Sequence, residues 1–306
     1  MPKDFISVAD WPAESLLEIL ARARQLKTLL AKGERPQTLL GRTLAMYFEH
    51  PSLRTYVTFE AGMTQLGGHA IFLTPEQIGI GTRESASDVA RSLSRWVDGL
   101  VARTTNHSLV EELASVATVP VINALTDLLH PCQVMADLLT ISERMELKEA
   151  RIAFVGDGNN VANSLLLAAS VLGLDLRLAT PDSHRPPDGI RSRAAGLAER
   201  SGARIFYTSH PAEAIREAHF VYTDVWTSMG QEEEAEKRRA IFEPYQVNAE
   251  LLEGAPEAWI MHDLPAHRGE EITDEVLDGP RSIVFDQAEN RLHAQKAVLE
   301  RLLRSA

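Results

Sequence analysis

The chain has 306 residues, which at roughly 100 to 200 residues per domain predicts about two domains. Its 31 Lys and Arg against 43 Asp and Glu give a net charge of -12, and without a basic patch this composition argues against nucleic-acid binding. The single cysteine, Cys132, excludes an internal disulfide, and with no signal-peptide pattern and no apolar run of about 20 residues we expect a cytoplasmic protein.

In the first half, apolar segments of strand length alternate with amphipathic segments of helix length, the pattern of parallel α/β proteins. A long helix from residue 130 to about 146 closes this half, and we expect it to join two domains. The other predicted elements are helices at 13–32, 84–96 and 108–116, a helix opening after Pro51, and strands at 43–48, 69–73, 99–103 and 119–124.

The second half begins again with a strand, a glycine-rich turn and a helix, and it ends with a short strand and a helix at 287–303. We predict two doubly wound parallel-sheet domains: residues 1–145 together with the C-terminal helix 287–306, which packs back on the first domain, and residues 146–286. The strands are predicted at 151–155, 174–179, 203–207, 220–223, 259–262 and 282–285, with an exposed loop at 185–189.

Residues 49–55 lie where a predicted strand ends and a helix begins. Free backbone N–H groups, the helix dipole, the hydroxyls of Ser52 and Thr55 and the Arg54 guanidinium converge there, and this combination suits a phosphate. The alternative is that Ser52 only caps the helix and Arg54 is solvated. For this segment alone, the two interpretations are about equally supported.

The turn at residues 156–160 contains G-x-G, which is one part of a dinucleotide-binding fingerprint. Val161 stands where the fingerprint requires its third glycine, and the next strand lacks the acidic residue at its end. A tight strand-to-helix turn is therefore the better interpretation. Asn163 still brings a polar amide to the carboxyl edge of the sheet, where ligands of open α/β folds bind.

Further polar residues follow strand ends or open helices. Each could be a capping or surface residue, but their shared position at the carboxyl edges of the sheets favours a role in binding. His262 and His267 are five residues apart without an apparent third ligand, so we predict no metal site. The other candidates are Arg103, His130, Gln133, Asp224, Asp263 and Arg291.

Taken in order, these motifs resemble the ornithine branch of the aspartate/ornithine carbamoyltransferase family, over essentially the whole chain. The segments that carry the resemblance are F-E-x-P-S-x-R-T at 48–55, H-P-x-Q at 130–133, G-D-G-N-N-V-x-N-S at 156–164, D-V-W-x-S-M-G-Q-E at 224–232, L-P-A-H-R-G-E-E at 264–271 and A-E-N-R at 288–291.

The resemblance implies transfer of the carbamoyl group of carbamoyl phosphate to the δ-amine of L-ornithine, giving citrulline and phosphate, with no metal or organic cofactor. It also implies a trimer or a multiple of trimers, in which Gln77 reaches a neighbour's phosphate site, and a lid at 228–230. The carbamoyl phosphate residues would be Ser52, Leu53, Arg54, Thr55, Gln77, Arg103, His130, Gln133, Leu264 and Arg291. The ornithine residues would be Asn163, Asp224, Ser228, Met229, Asp263 and Leu264. Arg54, Arg103, His130 and Asp263 would be catalytic.

The sequence departs from the family pattern at two positions. Leu53 replaces a threonine of the phosphate loop, for which we expect a modest effect. Asp263 replaces a cysteine beside the reacting amine, and a carboxylate there would favour the charged δ-ammonium over the neutral nucleophile. Three alternatives remain open: Asp263 acts as a general base, it marks another acceptor such as lysine, or the chain is a weakly active paralogue that binds carbamoyl phosphate.

Overall fold

Within residues 2–227 and 232–304, which the computed structural model describes, nine strands form two all-parallel sheets. The chain divides into two units, one comprising Met1–Leu139 with Glu289–Ala306 and the other Thr140–Ala288. Each unit combines one sheet with helices, so the predicted pair of parallel α/β domains is confirmed. No helix in the described part of the chain is long and apolar enough to cross a membrane.

The first unit contains a four-stranded sheet in the order β2-β1-β3-β4. Its inner strands β1 and β3 are almost entirely buried, as apolar strands between two neighbours must be, whereas β2 lies at an edge and is largely exposed. The strands are β1 (Thr43–Phe48), β2 (His69–Leu73), β3 (Gly99–Arg103) and β4 (Val121–Leu125). The helices are α1 (Ala13–Ala31), α2 (Leu53–Gln65), α3 (Pro75–Ile78), α4 (Ala86–Leu93), α5 (His107–Val116) and α6 (Pro131–Ser142).

The second unit contains a five-stranded sheet in the order β7-β6-β5-β8-β9. An apolar cluster that includes Val155, Val221 and Ile260 forms its core. The strands are β5 (Arg151–Val155), β6 (Asp175–Ala179), β7 (Arg204–Thr208), β8 (Phe220–Thr223) and β9 (Trp259–His262). The helices are α7 (Asn160–Leu172), α8 (Asp188–Ser201), α9 (Pro211–Ile215), α10 (Ala235–Phe242), α11 (Ala249–Leu252) and α12 (Asp274–Leu277).

The last helix, α13 (Val284–Leu303), returns to the first unit as predicted. Glu300 accepts hydrogen bonds from Arg22 of α1 at 2.5 and 2.9 Å, and the Lys296 ammonium donates to Gln65 of α2 at 2.9 Å. These buried polar contacts fix the helix along α1 and α2.

Two predicted details of the second half are wrong. The strand at 282–285 is reduced to one bridge between Ser282 and Ile260, because α13 already begins at Val284. Helix α8 was missed: it begins at Asp188, inside the predicted loop, after Pro187 as its N-cap. Only two of its residues, Ile190 and Ala194, are buried, so the helix has little of the apolar periodicity that reveals helices in a sequence.

Gly158 in the turn between β5 and α7 is required by packing rather than by nucleotide binding. A Cβ at this position would lie 2.4 Å from the Pro186 nitrogen and 2.5 Å from the His184 carbonyl oxygen. The Gly158 N–H donates to that same carbonyl at 2.9 Å, so the backbone at 184–186 crosses directly over the glycine. The second position of the turn must therefore be glycine because the segment that leads into α8 leaves no room for a Cβ.

We predict that Gly158→Ala destabilises the protein by about 1 to 3 kcal/mol, because the added methyl group would overlap backbone atoms that cannot rotate away. Gly196→Ala is the matched control, since nothing lies within 4 Å of a Cβ there and alanine is the better helix former. In urea unfolding, the free energy of unfolding should fall in Gly158→Ala and rise in Gly196→Ala. Equal stabilities of the two variants would contradict the packing argument.

Candidate active-site residues in the two units

In the first unit, the strand order reverses between β1 and β3, and ligands of open α/β sheets bind at the carboxyl ends of strands at such a point. The segment 49–55 follows β1, and Arg103 is the last residue of β3. Sheet topology therefore brings the phosphate-loop motif and the strand-end arginine together, although 48 residues separate Thr55 from Arg103.

Ser52 occupies the N-cap position of α2, but its side chain makes no capping hydrogen bond. A serine there normally accepts from the second or third helical N–H. The interpretation that Ser52 serves only as a cap is therefore not supported, and the first turn of α2 keeps its N–H groups for another acceptor.

The Thr55 hydroxyl is the meeting point of two buried guanidinium groups. Its Oγ1 accepts from Arg103 Nη1 at 3.3 Å and from Arg291 Nη2 at 3.0 Å, and all three side chains are buried. Because a hydroxyl has two lone pairs, both of which are occupied here, its own proton is left to donate to another group. The sequence-predicted residues Thr55, Arg103 and Arg291 thus form one cluster.

Gln133 in the first turn of α6 belongs to the same cluster. Its Oε1 accepts a hydrogen bond from Arg291 Nη1, and its Nε2 donates to Asp137 Oδ1 at 2.8 Å. Gln133 and Asp137 are both buried. Sequence reasoning missed Asp137, although its i, i+4 spacing from Gln133 on a helix places the two side chains on one face.

His130 lies in a buried environment that also contains three cations. Burial first, and then the charges of Arg291, Arg103 and Arg54, hold the pKa of His130 well below its ordinary value. His130 is therefore neutral at physiological pH and offers at most one N–H donor. Three cations around a buried, neutral histidine make this site suited to an anion.

Other predicted residues of this unit occupy different environments. Leu53 is exposed at the start of α2, and Gln77 is exposed on α3, where its Oε1 accepts from the Thr74 N–H at 2.8 Å. Cys132 is buried, its thiol donates to the Asn123 carbonyl at 3.4 Å, and burial raises its pKa to about 12. Cys132 is thus a structural thiol and not a nucleophile.

In the second unit, the order reverses between β5 and β8, and ligands of open α/β sheets bind at such a point. Asp224 directly follows β8, and its Oδ2 accepts from Asn159 Nδ2 at 2.6 Å. Asn159 also caps α7 through the N–H groups of Val161 and Ala162. Asn163 is buried in the first turn of the same helix. Ser228 and Met229 lie outside the described residues.

Arg238 of α10 is a buried cation that sequence reasoning missed. It donates to the Asp157 carboxylate and to the Trp226 carbonyl, and it is only 4% exposed. Burial raises the pKa of Asp157 to about 7, with Arg238 opposing the shift and Asp224 adding to it. No pattern in the sequence indicated this role, because Arg238 lies in a mixed charge run that is typical of solvated surface.

Asp263 lies beside Asp224. Oxygen atoms of these two carboxylates and a ring nitrogen of His262 all lie within 4.8 Å of one another. Two carboxylates this close favour a cationic partner, and an ammonium group is a natural counter-charge.

His262 fixes the turn that follows β9. Its Nδ1 accepts from the Leu264 N–H at 2.9 Å, so the ring proton resides on Nε2, which faces Glu271 Oε1 at 3.0 Å. The same Glu271 oxygen accepts from the His267 N–H at 2.6 Å. Since both ring nitrogens of His262 are engaged, this arrangement argues against His262 as a metal ligand.

Comparisons with known proteins match the two halves of the chain to two domain models of one family. The carbamoyl-P binding domain of aspartate/ornithine carbamoyltransferase matches residues 3–143, and the Asp/Orn binding domain matches residues 148–302. The chain belongs to the aspartate/ornithine carbamoyltransferase family. By its contacts, however, α13 from Glu289 onward lies with the first unit, although the second domain model extends to residue 302.

Similar proteins within the family extend over nearly the whole chain. The ornithine carbamoyltransferase of Archaeoglobus fulgidus is 51% identical over 98% of this chain and 97% of its own. The structure of the Pyrococcus furiosus ornithine carbamoyltransferase matches with a TM-score of 0.95 at 47% identity, covering 98% of this chain and 96% of that one. The anabolic enzyme of Campylobacter jejuni matches with a TM-score of 0.94 at 35% identity over all of both chains.

The raised pKa of Asp157 predicts a pH-dependent stability. The folded carboxyl keeps its proton up to about pH 7, whereas the unfolded one releases it near 3.8, so the wild type loses stability as the pH rises through this interval. The stability of Asp157→Asn relative to wild type should therefore increase between pH 5 and pH 7 and then level off, as measured by urea unfolding.

Asp278→Asn is the control for this experiment, because the Arg268 guanidinium lowers the pKa of Asp278 and its contribution is constant above pH 5. A flat difference for Asp157→Asn across the same range would mean that Asp157 is ionised throughout in the folded protein.

Proposed function

We propose that the protein is an ornithine carbamoyltransferase, which transfers the carbamoyl group of carbamoyl phosphate to the δ-amine of L-ornithine and releases phosphate and citrulline. The observation that carries this proposal is the convergence of Arg103 and Arg291 on the Thr55 hydroxyl, beside the uncapped first turn of α2. The names of the similar proteins support the choice of ornithine as acceptor.

In the proposed reaction, Thr55, Arg103 and His130 address the carbamoyl oxygen, while Ser52, Arg54 and Arg103 hold the phosphate. The free proton of the Thr55 hydroxyl and the N–H groups of Arg103 stabilise the negative charge that develops on this oxygen as the amine attacks. The C–N bond forms, the C–O bond to phosphate breaks, and the proton lost by the amine leaves with the phosphate. Charge stabilisation and positioning suffice, without a covalent intermediate, metal or organic cofactor.

The amino acid would bind in the second unit. The anionic Asp224, oriented by Asn159, suits the α-ammonium, and Asn163, Ser228 and Met229 complete the recognition of the α-carboxylate and α-ammonium. An α-ammonium is absent from putrescine and blocked in acetylornithine, so Asp224 favours ornithine over both.

Asp263 is the residue that would set the pH dependence. A second carboxylate within 4.8 Å of Asp224 would stabilise the charged δ-ammonium, whereas the nucleophile must be the neutral amine. Each unit by which the pKa of the bound amine rises leaves about tenfold less neutral amine at a given pH below it.

We predict that Asp263→Cys increases citrulline formation at pH 7.5 by about tenfold and moves the acid limb of the kcat profile, which reports the pKa of the bound amine, down by about one pH unit. Steady-state assays with carbamoyl phosphate and L-ornithine between pH 6 and pH 10 test both effects. Asp263→Asn is the matched control, because it removes the charge while keeping the size, and it should shift the profile in the same direction.

Identical profiles for wild type and Asp263→Cys would contradict this role of the charge. A loss of activity in both variants would instead favour Asp263 as a general base that accepts the amine's proton.

The same proximity of carboxylates favours one alternative acceptor class. A longer diamino acid such as lysine would carry its terminal amine to a different distance from Asp263, so activity with lysine and not with ornithine would mark a carbamoyltransferase of another specificity. Binding of phosphate analogues without turnover of any amine would indicate a weakly active paralogue. Retention of Arg54, Arg103 and Gln133 argues against this last alternative.

We further propose a homotrimer or a multiple of trimers. Four apolar side chains of the first unit are between 38% and 72% exposed: Leu53 and Val57 on α2, and Ile71 and Phe72 on the edge strand β2. Phe72 contacts Tyr56 of α2 with ring centroids 4.7 Å apart, which joins the two sets into one apolar surface on the first unit. A patch of this kind at a sheet edge is typical of an interface, and the exposed Gln77 would reach a neighbour from the same region.

We predict that the double variant Val57→Glu with Ile71→Glu reduces the oligomer to monomers, because charges buried in an interface cost several kcal/mol. Light scattering coupled to size exclusion measures the mass. Phe206→Glu changes a 43% exposed apolar residue of the second unit and should leave the oligomer intact. An unchanged mass for the double variant would exclude this surface as the interface.

We also propose that the protein is cytoplasmic and acts in arginine biosynthesis. It is supported by the anabolic function in the name of the Campylobacter jejuni enzyme and by a lone, buried cysteine kept as a thiol.

A further inference from the structure

A turn in the second unit brings one histidine and two glutamates together. One possible ligand atom from each of His267, Glu270 and Glu271 lies within 4.8 Å of the other two. The Glu270 N–H donates to the His267 carbonyl at 2.9 Å, and the Gly269 N–H donates to the Ile272 carbonyl at 2.9 Å. These backbone bonds close the turn, so the three side chains meet because of its shape and not because of helical spacing.

Gln246 and Val247 hold this turn from a neighbouring segment. Gln246 Nε2 donates to the Gly269 carbonyl at 3.0 Å and to the Glu270 carbonyl at 2.9 Å. The Val247 N–H donates to the Glu271 carbonyl at 2.8 Å. The turn is therefore ordered before any ligand arrives, which lowers the entropic cost of binding one.

Glu271 has one carboxylate oxygen that lacks a partner. The residue is fully buried. Its Oε1 accepts from His262 Nε2 at 3.0 Å and from the His267 N–H at 2.6 Å, whereas its Oε2 has no hydrogen-bond partner among the residues that the structure describes. A buried carboxylate oxygen in this state is costly unless an ion or a water molecule satisfies it.

Glu270 supplies a second carboxylate to the same place. Its Oε1 accepts from Arg239 Nη2 at 2.5 Å, and its Oε2 lies 4.0 Å from His267 Nδ1. Arg239 compensates one of the two negative charges, so one remains beside the imidazole. Carboxylates that bind a metal are usually held by further hydrogen bonds, as Glu270 is by Arg239 and Glu271 by His262.

We propose that His267, Glu270 and Glu271 form a site for a divalent transition-metal ion of the Zn²⁺ type. One imidazole nitrogen and two carboxylate oxygens suit this ion, and water completes its coordination. With bonds of about 2.1 Å, neighbouring ligand atoms lie about 3.0 to 3.5 Å apart, so the side chains have to close by about 1 Å. The His267 side chain is 48% exposed and has room for that movement.

The ligands of this site differ from the pair considered in the sequence. The prediction of no metal site rests on the lack of a third ligand beside His262 and His267. His262 is not a ligand in the proposed site, because both of its ring nitrogens are engaged. A bound ion would stabilise the turn after β9, since the unfolded chain does not hold the three ligands together. The proposal does not depend on the carbamoyltransferase reaction.

Calorimetric titration of the untagged protein with Zn²⁺ tests the proposal. The wild type is compared with Asp263→Asn, because Asp224, His262 and Asp263 also lie within 4.8 Å of one another and form a second possible site. We expect both proteins to bind one equivalent of Zn²⁺ per chain with similar affinity. Zn²⁺ should also raise the midpoint of thermal unfolding of both.

The variant His267→Ala, made in the Asp263→Asn protein, should bind Zn²⁺ about tenfold more weakly or worse and lose the rise in the unfolding midpoint. The matched control is His210→Ala in the same protein. It removes an exposed histidine of the same unit and should leave both results unchanged.

Loss of Zn²⁺ binding in Asp263→Asn would place the ion at the second possible site and overturn the proposal. Failure of the wild type to bind Zn²⁺ would overturn it too, and would leave a proton on His267 as the counter-charge of the glutamates. If His267→Ala does not fold, Glu270→Gln decides: it removes one ligand charge at similar size and should also weaken binding about tenfold. Unchanged affinity in that variant would overturn the proposal.

Discussion

One constraint shapes the first unit: two positively charged side chains, Arg103 and Arg291, must be held around the Thr55 hydroxyl. Two buried guanidiniums donate to one oxygen, and they arrive from β3 and from α13, while Thr55 comes from α2. Bringing such groups out of water is costly unless each finds a hydrogen-bond partner. Helix α13 must therefore return to the first unit to deliver Arg291.

The anchors of α13 are consistent with that task. Lys296 and Glu300 are buried and bonded to Gln65 and Arg22, which ties the helix to α2 and α1 over more than two turns beyond Arg291. The Lys296 side chain is fully buried, and this burial lowers its pKa to about 8. The last helix in the sequence thus contributes Arg291 to the cluster around Thr55, and the contacts that hold the helix also hold Arg291 in position.

In both units, polar residues lie where the strand order reverses, but the charges at the two places are opposite. In each sheet the strand order reverses once, between β1 and β3 or between β5 and β8, and the polar residues follow those strands. The first of these places is cationic, and the second contains Asp157, Asp224 and Asp263 with Arg238 as a buried counter-charge. A phosphate and an ammonium-bearing acceptor are the matching ligands.

Features that depend on a local sequence pattern, such as strands and their ends, could be predicted from the sequence. Features that depend on tertiary contacts, such as buried charges, could not. Residues at strand ends, such as Arg103 and Asp224, could be found because apolar strands are visible in the sequence and their ends are the ligand edge. Asp137 and Arg238 could not, because a charged residue on a helix is usually solvated, and burial becomes known only when its partners are in place. Helix α8 escaped detection for the opposite reason: it buries too little to leave a periodic pattern.

The substitution at position 263 shows why a well-matched fold leaves the acceptor chemistry open. The turn after β9 is held by the His262 ring, which bonds the Leu264 N–H on one side and Glu271 on the other. These bonds use the residues on either side of 263, so its side chain can change from a thiol to a carboxylate while the same turn is kept. In the proposed reaction, such a change would alter the charge beside the amine. Many contacts thus hold the fold and the cluster around Thr55, whereas in the proposed reaction the charge beside the acceptor amine would depend on one side chain.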